Sequence, residues 1–244
     1  MRLHRFFPLL LSALWLGCSS DPAAPEVLRA GNSAGSGGTS NTGSSGLGGT
    51  SGAGGTIDPG GKGEEAPYPS GPFGLEVGDI VQNFKFTGLR NPAAVNFSTA
   101  VTETIALSDY YNPNSDPTKP RFLVVTSSAR WCTFCKQEAV ASMKPDHYPY
   151  WKEKGVEFLV TLFDNETPGE PATFKDLEIW TKTYKITYPS ALDPNPPKLG
   201  VFFNLDAAPF NMILDLKDMK ILFKGEGLLD LSSKNPTLVK ATGG

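Results

Sequence analysis

Blocks of apolar residues, separated by polar and proline-containing stretches, predict alternating strands and helices from about residue 67 onward. The runs RFLVVTSSA, from Arg121, and GVEFLVTLF, from Gly155, are rich in β-branched residues, which is typical of strands buried on both faces. The alternating stretch IVQNFKFTGL, from Ile80, and the shorter ETIALSDYY, from Glu103, predict two further strands.

Two stretches between these strands have helical patterns. TFCKQEAVASMK, from Thr133, is composed largely of helix formers and should end before Pro145, because proline cannot continue a helix. PATFKDLEIWTKTY predicts a second helix with Pro171 in its first turn. The apolar positions of that helix are spaced to face a core: Phe174, Leu177 and Trp180.

The remaining blocks complete the domain. TYPSALD, from Thr187, predicts a short strand, and FNMILDLKDMKILFKGEG, from Phe210, predicts two strands joined by a turn. LDLSSKNPTLVKA, from Leu229, predicts a closing helix. The sum is a hairpin, a β-α-β-α-β unit, an antiparallel pair and a last helix, which predicts a mixed sheet between two helical layers.

The N-terminus has a different pattern. Arg2 and Arg5 precede an apolar run, Phe6 to Leu16, that is too short to span a bilayer but suits the core of a signal peptide. The run ends at Gly17-Cys18 and resembles a bacterial lipoprotein signal, in which cleavage precedes a cysteine that receives lipid. A secretory signal with an incidental Cys18 is the alternative.

Residues 19–66 have the composition of a tether. From Gly31 to Gly63 the chain is almost entirely Gly, Ser, Thr, Asn and Ala, which cannot bury enough apolar surface to offset chain entropy. We expect this segment to be disordered and to reach roughly 40 Å. The predicted organisation is a signal peptide over 1–18, a tether over 19–66 and one domain over 67–244.

Charge excludes one class of function. The chain has 22 Lys and Arg against 25 Asp and Glu, a net charge of −3, and no basic stripe interleaved with aromatic residues. We therefore expect no nucleic-acid partner. No second apolar run approaches the length of a transmembrane span.

The stretch SSARWCTFCKQEA places Cys132 and Cys135 where a buried strand ends and a helix begins. The free N–H groups and positive dipole of a helix N-terminus stabilise a thiolate, the form that attacks disulfides. We expect Cys132 to be exposed at the cap and to attack, and Cys135 to be shielded and to resolve the mixed disulfide. Arg130 either adds positive potential or lies exposed in solvent.

These features together resemble the thioredoxin superfamily, and within it the TlpA/ResA-like group of membrane-anchored thiol-disulfide oxidoreductases. The resemblance runs from about Gly78 to Leu229. It includes the W-C-x-x-C-(K/R)-x-E signature and, in AAPFNMILD, the segment that carries the family's cis-proline. The resemblance implies a three-layer α/β/α fold with an N-terminal β-hairpin. It also implies roles for six residues: Cys132 and Cys135 as the redox disulfide and Glu138 as a buried acid, all three catalytic, and Trp131, Ala208 and a cis Pro209 as substrate-binding residues, with Trp131 also shielding the cysteine pair.

Simpler interpretations remain open. The cysteines would also suit a structural disulfide, although such a short loop gains little stability from crosslinking. They would suit a metal site, but zinc or copper needs further Cys or His, and only His4 and His147 exist. Glu138 would also suit a solvated helix surface, and Pro209 a trans bond. His147 has no evident partner and is expected at the surface.

We therefore predict a thiol-disulfide oxidoreductase of the bacterial cell envelope that reduces disulfides of exported proteins. It is expected to be lipid-anchored through Cys18 with its domain in the periplasm, and Ser19 in place of Asp favours the outer membrane. Its expected partners are cysteine-containing envelope proteins and an inner-membrane thiol donor, since a reductant needs a supply of electrons in an oxidising compartment. We expect a monomer without metal or other cofactor. The alternative function is a binding module that holds an extended partner segment without turnover.

Overall fold

Strands and helices alternate through the middle of the domain. The computed structural model describes residues 67–243, so the predicted signal peptide, Cys18 and the tether lie outside the described residues. The strands are β1 (Lys85–Leu89), β2 (Glu103–Ala106), β3 (Phe122–Ala129), β4 (Val156–Asp164), β5 (Ser190–Leu192), β6 (Phe210–Asp215) and β7 (Lys220–Glu226). The α-helices are α1 (Thr133–Ser142), α2 (Tyr148–Glu153), α3 (Phe174–Tyr184) and α4 (Pro236–Thr242).

The strands form a mixed sheet in the order β2-β1-β5-β4-β3-β6-β7. The pairs β3–β4 and β4–β5 are parallel, and the other neighbouring pairs are antiparallel. This confirms the predicted mixed central sheet and the antiparallel β1–β2 pair. Both parallel crossovers step in the same direction, so the right-handed rule places α1, α2 and α3 on one face.

The central strands are covered on both faces. Nearly every residue of β3, β4 and β6 is buried, as expected for strands in the middle of a layered domain. In the β3–β6 register, Ser127 lies opposite Phe210, so the loop that precedes β6 meets the C-terminal end of β3. The chain leaves β3 toward the two cysteines at this same end.

The outer edge of β7 is covered by the segment that precedes β1. Gly78 N–H donates to the Ile221 carbonyl at 2.8 Å, and Val81 N–H donates to the Met219 carbonyl at 3.0 Å. Such a cover satisfies edge groups that would otherwise be open to pairing with another chain.

The structure corrects the predicted start of two elements. The first strand begins at Lys85 and not at Ile80, because residues 78–81 are engaged with the β7 edge. Helix α3 begins after Pro171: Thr173 is its N-cap, and the Asp176 carboxylate accepts the Thr173 N–H at 2.8 Å in a capping box.

Helix α2 was not predicted. Its sequence, YPYWKE, has a proline and three aromatic residues, and therefore a low intrinsic helix propensity. Pro149 lies in the first turn, where its missing N–H costs no hydrogen bond. Trp151 is fully buried and its indole N–H donates to the Leu231 carbonyl at 3.0 Å, so tertiary packing holds this helix.

Candidate active site

The two cysteines occupy the first turn of α1. Cys132 is the N-cap residue with an extended backbone, and its Sγ accepts the Cys135 N–H at 3.0 Å. The two residues are joined by a disulfide, with their Cα atoms 5.3 Å apart. The predicted placement between strand end and helix start is therefore confirmed, and one sulfur accepts a free N–H of the helix.

The expectation that Cys132 is exposed is wrong. Cys132 is 3% exposed and Cys135 is 1% exposed. The Cys132 sulfur lies 3.3 Å from the Ala208 carbonyl oxygen. The loop before β6 therefore covers Cys132, which the sequence predicted to be exposed.

Ala208 and Pro209 are brought to the disulfide by the β3–β6 register. The Ala208–Pro209 peptide bond is cis, as the sequence resemblance implied. Gly227 N–H, at the end of β7, donates to the Pro209 carbonyl at 2.7 Å and so fixes the loop from its other side. A disulfide at a helix N-terminus thus faces a cis-proline loop on the neighbouring antiparallel strand.

The described domain has a thioredoxin-like fold. No protein-family model and no curated protein matches the sequence. Among solved structures, the thioredoxin-like domain is similar to a thiol:disulfide interchange protein from Bacteroides sp., with 17% identity, a TM-score of 0.49, and coverage of 70% of this chain and 92% of that one. It is also similar to the thioredoxin domain of a thiol-disulfide oxidoreductase from Bacteroides vulgatus, with 16% identity, a TM-score of 0.47, and coverage of 65% and 94%. The fold assignment rests on the strand order, helix placement and cis-proline of the chain itself.

Glu138 lies one turn beyond Cys135 and is buried, at 4% exposure. Its Oε2 accepts two hydrogen bonds, from Asn211 Nδ2 at 3.0 Å and from Leu229 N–H at 2.8 Å. Its Oε1 has no hydrogen-bond partner among the described residues. Burial raises the pKa of this carboxyl to about 7, against the lowering effect of its hydrogen bonds. The alternative of a solvated Glu138 is therefore wrong.

Glu138 and Cys135 line the same small cavity, of about 10 Å³, between α1 and the sheet. A carboxyl with a pKa near neutral pH can hold or release a proton at the pH of the cell. The cavity thus combines the inner cysteine with a group suited to accept its proton.

Trp131 is held in place by the end of β4. Its indole N–H donates to Asp164 Oδ2 at 3.0 Å, and its ring meets Phe163 edge-on at 6.4 Å between centroids. Its backbone N–H donates to the Asn165 carbonyl at 3.2 Å. Trp131 is half-buried and directly precedes Cys132, and its shielding role stays a prediction.

Arg130 is neither exposed nor free to add its charge to the cysteines. Its side chain is 14% exposed, and it forms ion pairs with Glu166 at 2.8 Å and with Asp176. Against the opposing effect of burial, the hydrogen bonds from Thr173 and then the Arg130 pair lower the pKa of Asp176. Two carboxylates thus balance the guanidinium, and both sequence-based alternatives for Arg130 are wrong.

His147 was expected at the surface but is buried, at 8% exposure. Its Nδ1 lies 2.9 Å from Asp146 Oδ1, so it has a partner in the neighbouring residue. Among residues 67–243 there is no cluster of three or more His, Cys, Asp or Glu side chains that could hold a metal ion. Nor does this part of the chain contain a helix long and apolar enough to cross a bilayer.

The sequence analysis missed Asn211 and Asp164. Asn211 is a polar residue within the apolar run FNMILD, and a polar position in a buried strand is the signal that could have identified it. Asp164 ends a buried strand in the same way. Their partners lie far away in sequence, so the pairings themselves could not be predicted.

Proposed function

We propose that this protein is a thiol-disulfide oxidoreductase of the bacterial cell envelope. The observation that carries the proposal is the Cys132–Cys135 disulfide at the N-terminus of α1, with the cis Pro209 loop in front of it and the buried Glu138 behind it. A purely structural crosslink needs neither the cis-proline loop nor an acid with a raised pKa. A redox pair uses both.

The reduced protein begins the proposed cycle. The Cys132 thiolate attacks one sulfur of a substrate disulfide, and the other substrate sulfur leaves as a thiolate that takes up a proton from solvent. Cys135 then loses its proton, and its thiolate attacks Cys132 Sγ. The second substrate thiol is released, and the Cys132–Cys135 disulfide forms. Two electrons pass from the protein to the substrate.

The two sulfurs differ in their surroundings in the way this cycle needs. Cys132 Sγ already accepts the Cys135 N–H, and the same interaction favours the Cys132 thiolate once the protein is reduced. Cys135 lies deeper and shares its cavity with Glu138. Glu138 is the group we assign to accept the Cys135 proton in the resolving step.

The Ala208–Pro209 loop is the proposed substrate-binding edge. The Ala208 carbonyl lies 3.3 Å from Cys132 Sγ, so an extended substrate segment beside this loop would place its own sulfur next to the attacking one. Because the loop covers Cys132, substrate has to approach along the loop. Trp131, fixed by Asp164, forms the neighbouring wall.

We further propose that lipid on Cys18 anchors the protein in the envelope, with the domain in the periplasm. A reducing role there requires an inner-membrane thiol donor to re-reduce the Cys132–Cys135 disulfide after each cycle. The proposed substrates are disulfides of other envelope proteins. This part of the proposal rests on the sequence.

A trapping experiment tests the cycle. Cys135→Ala should accumulate mixed disulfides with partner proteins, because the resolving thiol is absent, whereas Cys132→Ala should trap none. The complexes are counted on non-reducing gels after acid quenching of cells that express each variant. Rapid alkylation of the reduced protein at pH 6 should also label Cys132 before Cys135. Equal trapping by the two variants, or faster labelling of Cys135, would contradict the assignment.

One observation favours a second candidate function. Both sulfurs are almost fully buried, as they are in structural disulfides. The alternative is a binding module that holds an extended partner segment against the Pro209 loop without turnover. A redox titration separates the two, because structural disulfides have potentials below about −300 mV. A potential above that value supports the oxidoreductase.

A further inference from the structure

We propose that Asn211 is the positioning residue for Glu138. It holds one carboxylate oxygen of Glu138 and leaves the other free on the side of the Cys135 cavity. The inference rests on the proposed function, because the position of Glu138 matters to the reaction only where Cys135 resolves a mixed disulfide.

The contacts of Asn211 leave one orientation for its amide. Thr126 Oγ1 donates to Asn211 Oδ1 at 2.8 Å, which directs Nδ2 toward α1. Nδ2 donates to Glu138 Oε2 at 3.0 Å and to the Gly227 carbonyl at 3.1 Å. A flipped amide would place Oδ1 against two acceptor oxygens, so the hydrogen-bond network fixes the orientation.

Glu138 is therefore held asymmetrically. Its Oε2 accepts hydrogen bonds from Asn211 and from the Leu229 N–H, whereas its buried Oε1 has no partner among the described residues. Because the side chain lines the cavity together with Cys135, the unbonded oxygen is the one available to a proton from that cysteine. Asn211 and Leu229 together select which oxygen takes part.

The cost of a buried amide supports a specific role for Asn211. It is 1% exposed and is the second residue of β6, where the following Met212, Ile213 and Leu214 are fully buried and apolar. A buried amide lowers stability unless it is hydrogen-bonded, and an apolar residue would serve the sheet as well. An apolar residue could replace none of the contacts to Thr126, Gly227 and Glu138, and of these three residues only Glu138 takes part in the proposed cycle.

Among the described residues that line the cavity, none besides Glu138 is an Asp, Glu, Lys, Arg or His. The titratable groups there are Cys135 on α1 and Tyr188 just before β5, and the Tyr188 hydroxyl pairs with Ser142 at 2.9 Å. Hydrogen bonds are therefore what favours the charged carboxylate against burial. Burial raises the pKa of Glu138, and the Leu229 N–H, the Asn211 amide and the Thr126 hydroxyl, in that order, lower it.

The test measures the carboxyl and the reaction separately. Carbon-13 NMR follows the titration of Glu138 in the oxidised protein. The reaction step is followed by mixing the reduced protein with the aromatic disulfide dithiobis-nitrobenzoate. Attack by Cys132 releases one coloured thiolate, and attack by Cys135 on the resulting mixed disulfide releases a second. In Asn211→Leu we expect the Glu138 titration to move upward by about one pH unit, because a hydrogen bond to a charged group is lost. The second release should then slow about tenfold at pH 6.

Three variants of neighbouring threonines complete the experiment. Thr126→Val removes a hydroxyl that orients Asn211 and that itself lowers the pKa of Glu138, so it should shift the titration in the same direction even if Asn211→Leu fails to fold. Thr126→Ser keeps the hydroxyl and should restore the wild-type titration. Thr161→Val is the control. It removes a buried hydroxyl from β4, the strand next to β3, and this hydroxyl donates to the Thr126 carbonyl and not to Asn211. It should change neither the titration nor the release rate.

Three results would overturn the inference. If neither Asn211→Leu nor Thr126→Val moves the titration while wild type releases the second thiolate normally, Asn211 does not position Glu138. If the titration moves but the release rate does not follow, the contact is structural. If the wild type itself never releases the second thiolate, the proposed function fails first, and the role of Asn211 in it fails as a consequence.

Discussion

At the scale of single residues, burial of Glu138 affects both the stability of the fold and the proposed reaction. Burial raises its pKa to about 7, so the folded protein binds a proton that the unfolded chain, with an ordinary pKa of 4.5, has released. Between these two values the free energy of unfolding falls as the pH rises, because the unfolded state binds fewer protons. The same raised pKa makes Glu138 a suitable proton acceptor for Cys135.

We predict that Glu138→Gln becomes progressively more stable than wild type as the pH rises. The difference in unfolding free energy between the two proteins should increase by about 3 kcal/mol from pH 4.5 to pH 8, since above pH 7 wild type carries the full cost of a buried carboxylate. Urea unfolding at several pH values measures it. The same variant should slow the second thiolate release, because glutamine cannot accept the Cys135 proton.

Glu153→Gln provides the matched control. It makes the same substitution at an exposed position of α2 and should follow wild type at every pH. A constant difference between Glu138→Gln and wild type across this pH range would contradict the raised pKa of Glu138.

Some residues of the candidate site could be predicted from the sequence and others could not. Cys132, Cys135, Glu138 and Pro209 were identified because one short motif and one proline segment carry them. Asn211 was not, since its role depends on a partner on α1 that the chain reaches only through the β3–β6 register. The exposure of Cys132 was predicted wrongly for the same reason: the loop that covers it comes from a distant part of the chain.

At the scale of elements, the local sequence pattern predicted the strands that are buried along their whole length. It did not predict a helix whose formation depends on tertiary packing. Strands β3 and β4 are continuous apolar runs and were predicted directly. Helix α2 has a poor intrinsic propensity and exists because Trp151 is buried, which no local pattern indicates. The sequence predicted that α3 begins at Pro171, but the helix begins after the capping box at Thr173.

The close approach of β1 to β5 gives a prediction at this scale. A Cβ atom built on Gly88 would lie 2.5 Å from the Ala191 Cα and against the Ser190 carbonyl oxygen. Because both are backbone atoms of β5, Gly88→Ala must push the β1–β2 pair away from the sheet. We expect a loss of about 1–3 kcal/mol in unfolding free energy, measured by urea unfolding.

Gly200→Ala is the control for this prediction. The nearest atoms to a Cβ at Gly200 lie 3.4 Å away on the Leu205 and Pro197 side chains, so this variant should be far less destabilised. Equal effects of the two substitutions would mean that β1 and β5 do not approach as closely as described. Strands β5 and β4 separate β1 from β3, so folded Gly88→Ala should still undergo thiol exchange at the wild-type rate.

At the scale of the whole molecule, two parts of the chain have separate proposed roles. Residues 67–243 contain the disulfide, the acid and the cis-proline loop, and so every group that the proposed cycle uses. Residues 1–66 lie outside the described residues, and their proposed roles, anchor and tether, rest on sequence. The two sets of roles can therefore be tested independently.

The last prediction separates anchoring from folding. Because Cys18 follows an apolar signal core and precedes a Gly/Ser-rich segment, Cys18→Ala should prevent lipid attachment and move the protein from the detergent phase to the aqueous phase. Deletion of residues 31–63 should leave the protein in the detergent phase and the melting temperature of the domain unchanged, since a segment of this composition has almost no apolar side chains to pack. Phase partitioning and thermal unfolding of the two variants measure both effects. Equal partitioning of Cys18→Ala and wild type would contradict the anchor. A fall of several degrees on deletion would mean that the segment packs on the domain and contributes to its stability.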